Sequence, residues 1–527
     1  MSSAKEEEVQ CINAVPSDPL VDKSAPRNLD EFLTLGRYTI LLLLTVELLH
    51  LATISNMFYM IYAGASPTVV GCSEHELADA ETACASLANL RNATNCEPRL
   101  KSQFHSVNIE FDYLCGASKI VKSTISAQLT GVLMGSLVFG QLSDMYGRRF
   151  VLLICMAFCT VFTAATALST DIWTFTIIRI IAGFFTGGTS AVQTVFLVEN
   201  IPAKYRLLFS NLFCWSFNFI TFPIIAYYSG DWRTLALVAA GIHVIAAVFL
   251  GACYESPRFL LQHGNTEEAG RVLAAIRKIN REHCERNAAE VKAMLMHESE
   301  EFEKRQHLLR KHTILDLLHP WEMFKWTMTL CFGVATTSLV NYGILFNMEK
   351  LSGSMYLNNI LFGIFRWSLG LAFGFLDVKI PALGRKSVNV FAELFNITCI
   401  GLIFGTYWLG VQAEYAIIIR VCSVAGITMC AQLYNCEFAT AMELFPTSVR
   451  NIAMSALAMS SRIGSIFAPI LFYLAEIHPS YPYIALLAFM IIDIVGFHVN
   501  MPETKGKLLE NHLPPRATRN AKNDAEQ

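Results

Sequence analysis

Two arginines lie inside sequence runs that are otherwise apolar. Residues 452–471 read IAMSALAMSSRIGSIFAPIL with Arg462 near the middle, and Arg366 lies within LFGIFRWSLG. In a helix surrounded by lipid, a central arginine costs about 2.5–3.5 kcal/mol on insertion scales, so it requires a polar or charged partner. Because a guanidinium presents a planar fork of donors to a carboxylate or sulfate, the sequence predicts that Arg462 binds an anionic group.

Acidic residues in other apolar runs offer these arginines a second type of partner. Glu437 is a candidate ion-pair partner for either arginine, and Asp493 is a further candidate for Arg366. For Arg462 we favour the ligand role, combined with a pair to Glu437 in the empty protein that substrate would displace. For Arg366 a cavity role and an internal pair both stay open.

Aromatic and amide side chains complete the candidate substrate site. Phe213 and Phe217 fall on one stripe of the fifth apolar run, and Asn341 and Tyr342 lie in the seventh. An aromatic stripe ordinarily packs against other helices or faces lipid. The alternative, which we carry forward, is that these residues contact the organic part of a substrate.

The composition indicates that the surrounding elements are membrane helices. Of 527 residues, 54% are hydrophobic and 16% are charged, and the mean hydropathy is +0.42, too apolar for an ordinary soluble domain. The net charge of -3 gives no electrostatic reason to expect nucleic acid as a partner. The sequence contains no phosphate-binding GxxxxGK[ST] motif, catalytic nucleophile or metal-ligand cluster, so we expect neither an enzyme nor a cofactor.

Twelve apolar runs are long enough to cross about 30 Å of hydrocarbon as helices. We therefore predict an all-α membrane protein of two six-helix halves. The predicted parts are an N-terminal tail at 1–37, an N-terminal bundle at 38–253, a helical linker at 254–323, a C-terminal bundle at 324–501 and a C-terminal tail at 502–527. The predicted spans are 38–62, 123–143, 150–168, 173–197, 208–228, 234–253, 324–348, 356–376, 387–409, 415–440, 450–475 and 482–501.

The loop at 63–122 predicts which side of the membrane each end faces. It contains an N-glycosylation sequon at Asn92 and four cysteines, an even number that suits two disulfides in an oxidising compartment. Three pairings of these cysteines are open. Since lysine and arginine collect in the alternate loops and tails, we expect both termini in the cytoplasm and the long loop outside. The four cysteines are Cys72, Cys84, Cys96 and Cys115.

Short charged motifs recur in the two halves, always at span ends. ENIPAKYR at 199–206 is matched by ELFPTSVR at 443–450, GRR at 147–149 by GRK at 384–386, and ESPR at 255–258 by PETK at 502–505. Six spans separate each pair, so the repeats are parallel. We interpret these turns as a conformational latch, in which Gly140 and Gly147 permit close packing and a tight turn and Asp144 also engages the other half. Its predicted residues are Gly140, Asp144, Gly147, Arg148, Arg149, Glu199, Arg206, Glu255, Arg258, Arg385, Glu443 and Arg450.

These motifs resemble those of the major facilitator superfamily. The large cysteine-bearing loop after the first span resembles, more narrowly, solute carrier family 22, whose members carry organic cations, anions and zwitterions. The cation branch of that family has an aspartate in place of Arg462, whereas the anion and carnitine-type branches have arginine in motifs like SRIGSIFAP. Arg366 departs from the family, which tends to have an acidic residue followed by proline there. The resemblance favours organic anions or zwitterions over simple cations.

The residues and the resemblance together predict a plasma-membrane transporter. We expect small organic anions or zwitterions to cross by alternating access around a midplane site. The partners would be the organic ion, the lipid bilayer, and a coupling ion or an exchanged counter-substrate. Two alternatives are a carnitine- or betaine-type or organic cation carrier, and, from another class, a transporter-like receptor that does not transport.

Overall fold

The structure, a computed structural model, describes most of the helical body and part of the loops. The side chains at 72, 75, 76, 350, 377, 378, 447, 448, 451 and 476 are not described. The described residues are 29, 33, 35–72, 75–76, 84, 87, 97–202, 215–281, 295–296, 317, 321–380 and 384–504.

The N-terminal half is built from six long helices. The first, α1, is interrupted at Phe58, and a short helix, α2, continues it. The fifth, α7, is described from Trp215, because residues 203–214, which include the start of the predicted span 208–228, lie outside the described residues. The helices are α1 Arg37–Met57, α2 Tyr59–Ala63, α4 Ser118–Tyr146, α5 Arg148–Thr166, α6 Ile172–Asn200, α7 Trp215–Ser229 and α8 Trp232–Ala252, with α3 Val107–Glu110 in the loop before α4.

The C-terminal half repeats this arrangement after the linker. The described part of the linker contains two helices, α9 and α10, and α10 begins after Asn265 with Glu267 and Glu268 in its first turn, as its sequence predicts. Helices α9 and α10 pack against the start of α1. The remaining helices are α9 Pro257–Gln262, α10 Thr266–Asn280, α11 Trp321–Leu345, α12 Met355–Lys379, α13 Arg385–Trp408, α14 Ala416–Leu444, α15 Thr447–Leu471 and α16 Tyr481–Asn500.

Eleven helical stretches among the described residues are long and apolar enough to cross a membrane. They match eleven of the twelve predicted spans, and the described part of α7 lies within the twelfth. The largest boundary difference is in the second span, which was predicted to begin at 123 and instead belongs to a helix that begins at Ser118.

The two ends of the bundle differ in the segments that lie there. The loop end carries residues 64–117, and the motif end carries the turns at Gly147 and Gly384. At the loop end a three-stranded antiparallel sheet has the order β2-β1-β3, and Cys84 and Cys115 form a disulfide. Cys96 and Asn92, of the predicted second disulfide and glycan, lie outside the described residues. The strands are β1 Thr68–Cys72, β2 His75–Glu76 and β3 Pro98–Lys101.

Candidate functional site

An aromatic cluster fills the middle of the interface between the two halves. Phe58, at the break between α1 and α2, is at its centre: its ring centroid lies 4.9 Å from that of Phe219 and 5.9 Å from that of Tyr342, with the Tyr342 ring stacked. Phe219 in turn meets Phe362 of the C-terminal half at 4.9 Å. This interface is therefore apolar and polarisable. We define the aromatic cluster as Phe58, Trp215, Phe219, Tyr342, Phe346 and Phe362.

Arg366 lies on this cluster. The carbon at the centre of its guanidinium is 5.6 Å from the ring centroid of Phe219 and 5.8 Å from that of Phe362. A guanidinium over aromatic faces is stabilised by the ring quadrupoles, by roughly 0.5–2 kcal/mol for each favourable contact. The side chain is half-buried. Arg366 is thus positioned by aromatic rings from both halves.

Arg462 bridges the halves from the C-terminal side. On α15, it donates from Nη2 to Oγ of Ser190 at 3.2 Å, and its Nη1 approaches Sδ of Met57 at 3.9 Å. Met57 directly precedes Phe58, so this guanidinium lies next to the aromatic cluster. Both contacts are to neutral groups, and among the described residues no carboxylate accepts from it. The half-buried charge of Arg462 is therefore not neutralised by a described carboxylate.

The predicted ion pairs with Glu437 and Asp493 are not formed among the described residues. Both acids are buried, 0% and 2% exposed, and the one hydrogen bond that Glu437 accepts comes from Thr337 Oγ1 at 3.4 Å. The prediction that Arg462 is bridged to Glu437 in the empty protein is wrong for this structure. The physical reason is that Glu437 faces the interior of its own half, whereas Arg462 faces the other half.

The remaining predicted site residues are two in the seventh span and two in the fifth. Tyr342 belongs to the aromatic cluster, and Asn341 beside it is buried, with an Oδ1 atom that accepts no hydrogen bond. Phe217 is 47% exposed, on the face of α7 that also exposes Ile224, so it lies outside the aromatic cluster, and its assignment to the substrate site stays a prediction. Phe213 lies outside the described residues.

The halves are joined at the loop end by polar contacts that the sequence did not reveal. Gln103 donates to the carbonyl of Gly353 at 3.0 Å and accepts from the N–H of Met355 at 2.8 Å. Lys122 forms an ion pair with Glu349 at 2.8 Å. The sequence indicates this ion pair only weakly, since it shows no more than Lys122 at the start of the second apolar run and Glu349 at the end of the seventh. These contacts close the loop end.

At the motif end, the charged turn of the N-terminal half folds back on itself. Arg148 forms ion pairs with Asp144 at 3.0 Å and with Glu199 at 3.1 Å. Glu255 accepts from the backbone N–H groups of Arg148 and Arg149 at 3.1 Å and 2.9 Å. Burial raises the pKa of Glu255, and these N–H groups offset part of that rise. The turn is thus held by charge-assisted hydrogen bonds.

Gly147 makes this turn possible. Its φ of +103° is a conformation that favours glycine, and a Cβ at this position would lie 2.5 Å from Oε2 of Glu255. Any larger residue would displace the carboxylate that caps the turn. The predicted tight turn at Gly147 is confirmed. Gly140 has open space where a Cβ would be, so its predicted packing role is not supported.

The C-terminal half repeats this turn with the same chemistry. Arg385 pairs with Glu443 at 3.0 Å, and Glu503 accepts from the backbone N–H groups of Arg385 and Lys386 at 2.8 Å and 3.2 Å. These acids correspond to Glu199 and Glu255, as the repeat predicts. Each turn is closed within its own half.

Four other predicted latch residues remain, namely Asp144, Arg206, Arg258 and Arg450. The side chain of Asp144 is 71% exposed and pairs with Arg148 of its own half, so its predicted engagement of the other half is wrong for this structure. Arg450 donates to the carbonyl of Phe445 at 3.2 Å, which caps its own turn. Arg206 lies outside the described residues, and Arg258 lies on α9 next to the turn.

Comparison with known proteins identifies this architecture. The family model described as a sugar (and other) transporter matches residues 52–512. The chain belongs to this family of the major facilitator superfamily. The transporter is a multi-pass membrane protein with the twelve-helix fold of that superfamily, and it is not an enzyme.

The curated relatives of the transporter are members of solute carrier family 22 and related carriers. It is 29% identical to a solute carrier family 22 member 15-like protein of Xenopus tropicalis, over 77% of this chain and 80% of the relative. It is 27% identical to an organic cation transporter protein of Drosophila melanogaster over 72% and 68% of the two chains. An organic cation/carnitine transporter 4 of Arabidopsis thaliana is 28% identical over 76% and 74%.

Solved structures support the same fold. The xylose transporter XylE from E. coli, in a partially occluded inward open conformation, superposes with a TM-score of 0.61. The superposition covers 90% of this chain and 100% of that one at 16% sequence identity. At this identity the likeness concerns the fold alone.

Proposed function

We propose that this transporter moves small organic anions or zwitterions across the plasma membrane by alternating access. The observation that carries the proposal is Arg462: a half-buried guanidinium between the halves, beside an aromatic cluster, whose protein contacts are to the neutral Ser190 and Met57. Leaving such a charge in a low-dielectric interface is costly unless a ligand compensates it. An anionic group of the substrate supplies that compensation.

The aromatic cluster supports an organic rather than an inorganic substrate. Met57, which contacts Arg462, directly precedes Phe58, and the Phe58 ring lies against the rings of Phe219 and Tyr342. A substrate with an acid group and an apolar or aromatic body would satisfy the guanidinium and bury its body against the rings. Arg366 is a second guanidinium on the same rings.

The contacts at the two ends support alternating access. Among the described residues, the polar contacts that join the halves lie in the middle and at the loop end, whereas the latch contacts at the motif end stay within each half. This arrangement suits a state closed at the loop end. We assign the loop end to the outside and the motif end, with both termini, to the cytoplasm, because basic residues collect there.

A tracer panel tests the proposed function. The full-length protein in liposomes would be given an aromatic carboxylate, a sulfate ester, a dicarboxylate, carnitine and a quaternary ammonium ion. We expect uptake of at least one anion or of carnitine, reduced at least about tenfold by Arg462→Ala, since charge-assisted hydrogen bonds contribute about 1.5–3 kcal/mol each.

Two outcomes of this panel would overturn the proposal. Arg462→Lys, which keeps the charge and loses the planar fork, is the matched control and should retain part of the uptake. Preferred uptake of the quaternary ammonium ion, unchanged in Arg462→Ala, would instead identify a cation carrier. No flux of any tracer through a correctly folded wild type would favour a receptor.

A further inference from the structure

Three carboxyl groups meet inside the C-terminal half, away from the aromatic cluster. They are Glu393 on α13, Glu437 on α14 and Asp493 on α16, and they are 1%, 0% and 2% exposed. We call these three carboxyl groups the carboxyl trio. Helix α16 packs against both α11 and α13, which brings the trio together.

Gly333 on α11 is the point where two of these groups come closest. A Cβ at this position would lie 2.8 Å from Oε1 of Glu437 and 2.9 Å from Oδ1 of Asp493. Because both oxygens lie within 2.9 Å of the same point, they are at most about 6 Å apart. The third carboxyl, Glu393, acts electrostatically on both. At such separations, like charges in a buried site repel by several kcal/mol.

The trio lacks the hydrogen bonds that buried acids normally have. Oε2 of Glu393, Oε2 of Glu437 and Oδ1 of Asp493 are each fully buried and accept no hydrogen bond. The hydrogen bond from Thr337 to Glu437 is long, at 3.4 Å, and it is the one that the described residues give to the trio. Unsatisfied buried acceptors are rare in folded proteins, and each one requires an explanation.

The surroundings of the trio contain no described cation that neutralises it. On α14 the neighbouring titratable groups are Cys430 and Cys436, and the charges of Arg366 and Arg385 act on those two thiols. None of the three acids forms an ion pair with a described residue. Among the described residues, no group of three or more His, Cys, Asp and Glu side chains is arranged to hold a metal ion.

We propose that the carboxyl trio is a proton-binding site. Three uncompensated negative charges cannot be kept in this interior. A proton taken up from water by one carboxylate neutralises that group, and its new O–H can donate to an unsatisfied oxygen of a neighbour. Carboxyl groups that share a site in this way titrate as a coupled unit.

Helix α11 connects this site to the proposed substrate site. Thr337 donates to Glu437, and the next residue, Ser338, shares a hydrogen bond of 2.8 Å with Ser461, which directly precedes Arg462. Protonation of the trio and binding at Arg462 therefore act on the same pair of α11 residues. This coupling, unlike proton binding itself, rests on the proposed function, and it predicts that substrate flux depends on the proton gradient.

Infrared spectroscopy tests proton binding without any substrate. For the full-length protein in lipid, difference spectra between acidic, neutral and alkaline buffers would follow the C=O stretch of protonated carboxyl groups. We expect wild type to show, at neutral pH, a band that Glu393→Gln/Glu437→Gln/Asp493→Asn lacks and that Glu414→Gln, an exposed acid of the same half, retains. Glu47 is another acid in an apolar helix, so the difference between wild type and the triple variant is the result.

Three infrared outcomes would overturn the proposal. Identical bands in wild type and in a folded triple variant would show that the trio binds no proton at neutral pH. The same conclusion follows if wild type has no such band. If the band appears when choline replaces sodium in the buffer, the trio binds sodium instead. The single variants Glu393→Gln, Glu437→Gln and Asp493→Asn keep the test available if the triple variant does not fold.

Tracer flux tests the coupling separately. With the tracer that wild type carries fastest, we expect an imposed proton gradient to change wild-type uptake and to have no effect on Asp493→Asn, which should still exchange tracer across the membrane. A full gradient response in all three single variants would overturn the coupling while leaving the infrared result in place. If wild type carries no tracer, the proposed function fails, and proton binding is still decided by the spectra.

Discussion

The two halves of this transporter hold buried charges of opposite sign on the same scaffold. In the N-terminal half, Arg179 is fully buried, and it donates to Asn56 Oδ1 at 3.0 Å, to the Asn56 carbonyl at 2.7 Å and to Gln128 Oε1 at 3.1 Å. Its guanidinium also lies 4.5 Å from the centre of the Tyr59 ring. In the C-terminal half, the carboxyl trio receives one long hydrogen bond from the described residues.

The difference is between a buried charge whose hydrogen bonds stabilise the fold and buried carboxyl groups that lack donors and can bind a small ligand. Each guanidinium nitrogen of Arg179 donates to a neutral amide oxygen of Asn56 or Gln128, so Arg179 holds α1, α4 and α6 together. The carboxyl trio has acceptors without donors and is open to a small ligand. The motif ends of the halves, in contrast, are alike, with Arg148 on Glu199 and Arg385 on Glu443. The two halves therefore differ in the polar groups that are buried in their interiors, and they share the same ion-pair arrangement at their motif ends.

The largest expected effect is on Arg179. Arg179→Gln would leave buried acceptors on Asn56 and Gln128 without their donor, and we expect a loss of about 3 kcal/mol or more in stability. Arg420 ends the sequence IIR at 418–420 as Arg179 ends IIR at 177–179, so the two arginines correspond in the repeat. Arg420 is half-buried and donates to Asn358 at 2.7 Å, so Arg420→Gln should cost less. Thermal unfolding in detergent measures both.

The same unfolding experiment can contradict the contrast between Arg179 and the carboxyl trio. Asp493→Asn should leave the melting temperature unchanged or raise it, since it removes a negative charge from an uncompensated site. Equal losses in Arg179→Gln and Asp493→Asn would mean that the trio is as structural as the arginine.

The latches are expected to respond equally in the two halves. Glu199→Gln and Glu443→Gln each replace an ion pair by a neutral contact, which removes about 1.5 kcal/mol of charge-assisted hydrogen bonding and corresponds to roughly a tenfold change in rate if the latch acts in the rate-limiting step. Initial uptake rates in liposomes measure this. A large loss in one variant and none in the other would contradict the equivalence of the repeats.

The smallest effect is expected from the ion pair between Glu110 on α3 and Arg233 on α8, which joins the loop before α4 to the N-terminal half. Burial raises the pKa of Glu110, but hydrogen bonds from Arg233 and Trp232 outweigh burial, so the pKa of this carboxyl is lower than usual. The stabilisation is therefore present above the usual carboxyl pKa and is lost as the pH falls through the lowered value. The protection of α3 against hydrogen exchange, after correction for the intrinsic slowing of exchange in acid, should fall on acidification in wild type and be less pH-dependent in Glu110→Gln. The same acid response in both would contradict this role.

The latch could be predicted from the sequence because its residues lie at span ends in fixed, repeated motifs. Gly147 and Arg148 form a tight turn, Glu199 and Glu255 reach it from the ends of two other spans, and their counterparts follow from the repeat. The aromatic residue of α7 that joins the cluster could not be predicted, because α7 has aromatic residues on several faces and helical spacing does not show that Phe219 rather than Phe217 meets the other rings.

The carboxyl trio could not be predicted because it depends on packing. Glu437 and Asp493 stood out as acids in apolar runs, but the sequence suggested arginine partners for them. Only the packing of α11, α13, α14 and α16 shows that Glu393 joins them and that Arg462 faces the other way. The Gln103 contacts were missed for the same reason, since they connect a loop of one half to α12 of the other.

The central claim, that Arg462 selects for negative charge, is tested most directly by the ratio of anion to cation uptake in one assay. Wild type and Arg462→Asp would be given a labelled aromatic carboxylate and a labelled quaternary ammonium ion together, with Arg462→Asn as the neutral control. We predict a ratio above one in wild type, a lower ratio in Arg462→Asn and a ratio below one in Arg462→Asp. A wild-type ratio below one that Arg462→Asp leaves unchanged would contradict the account.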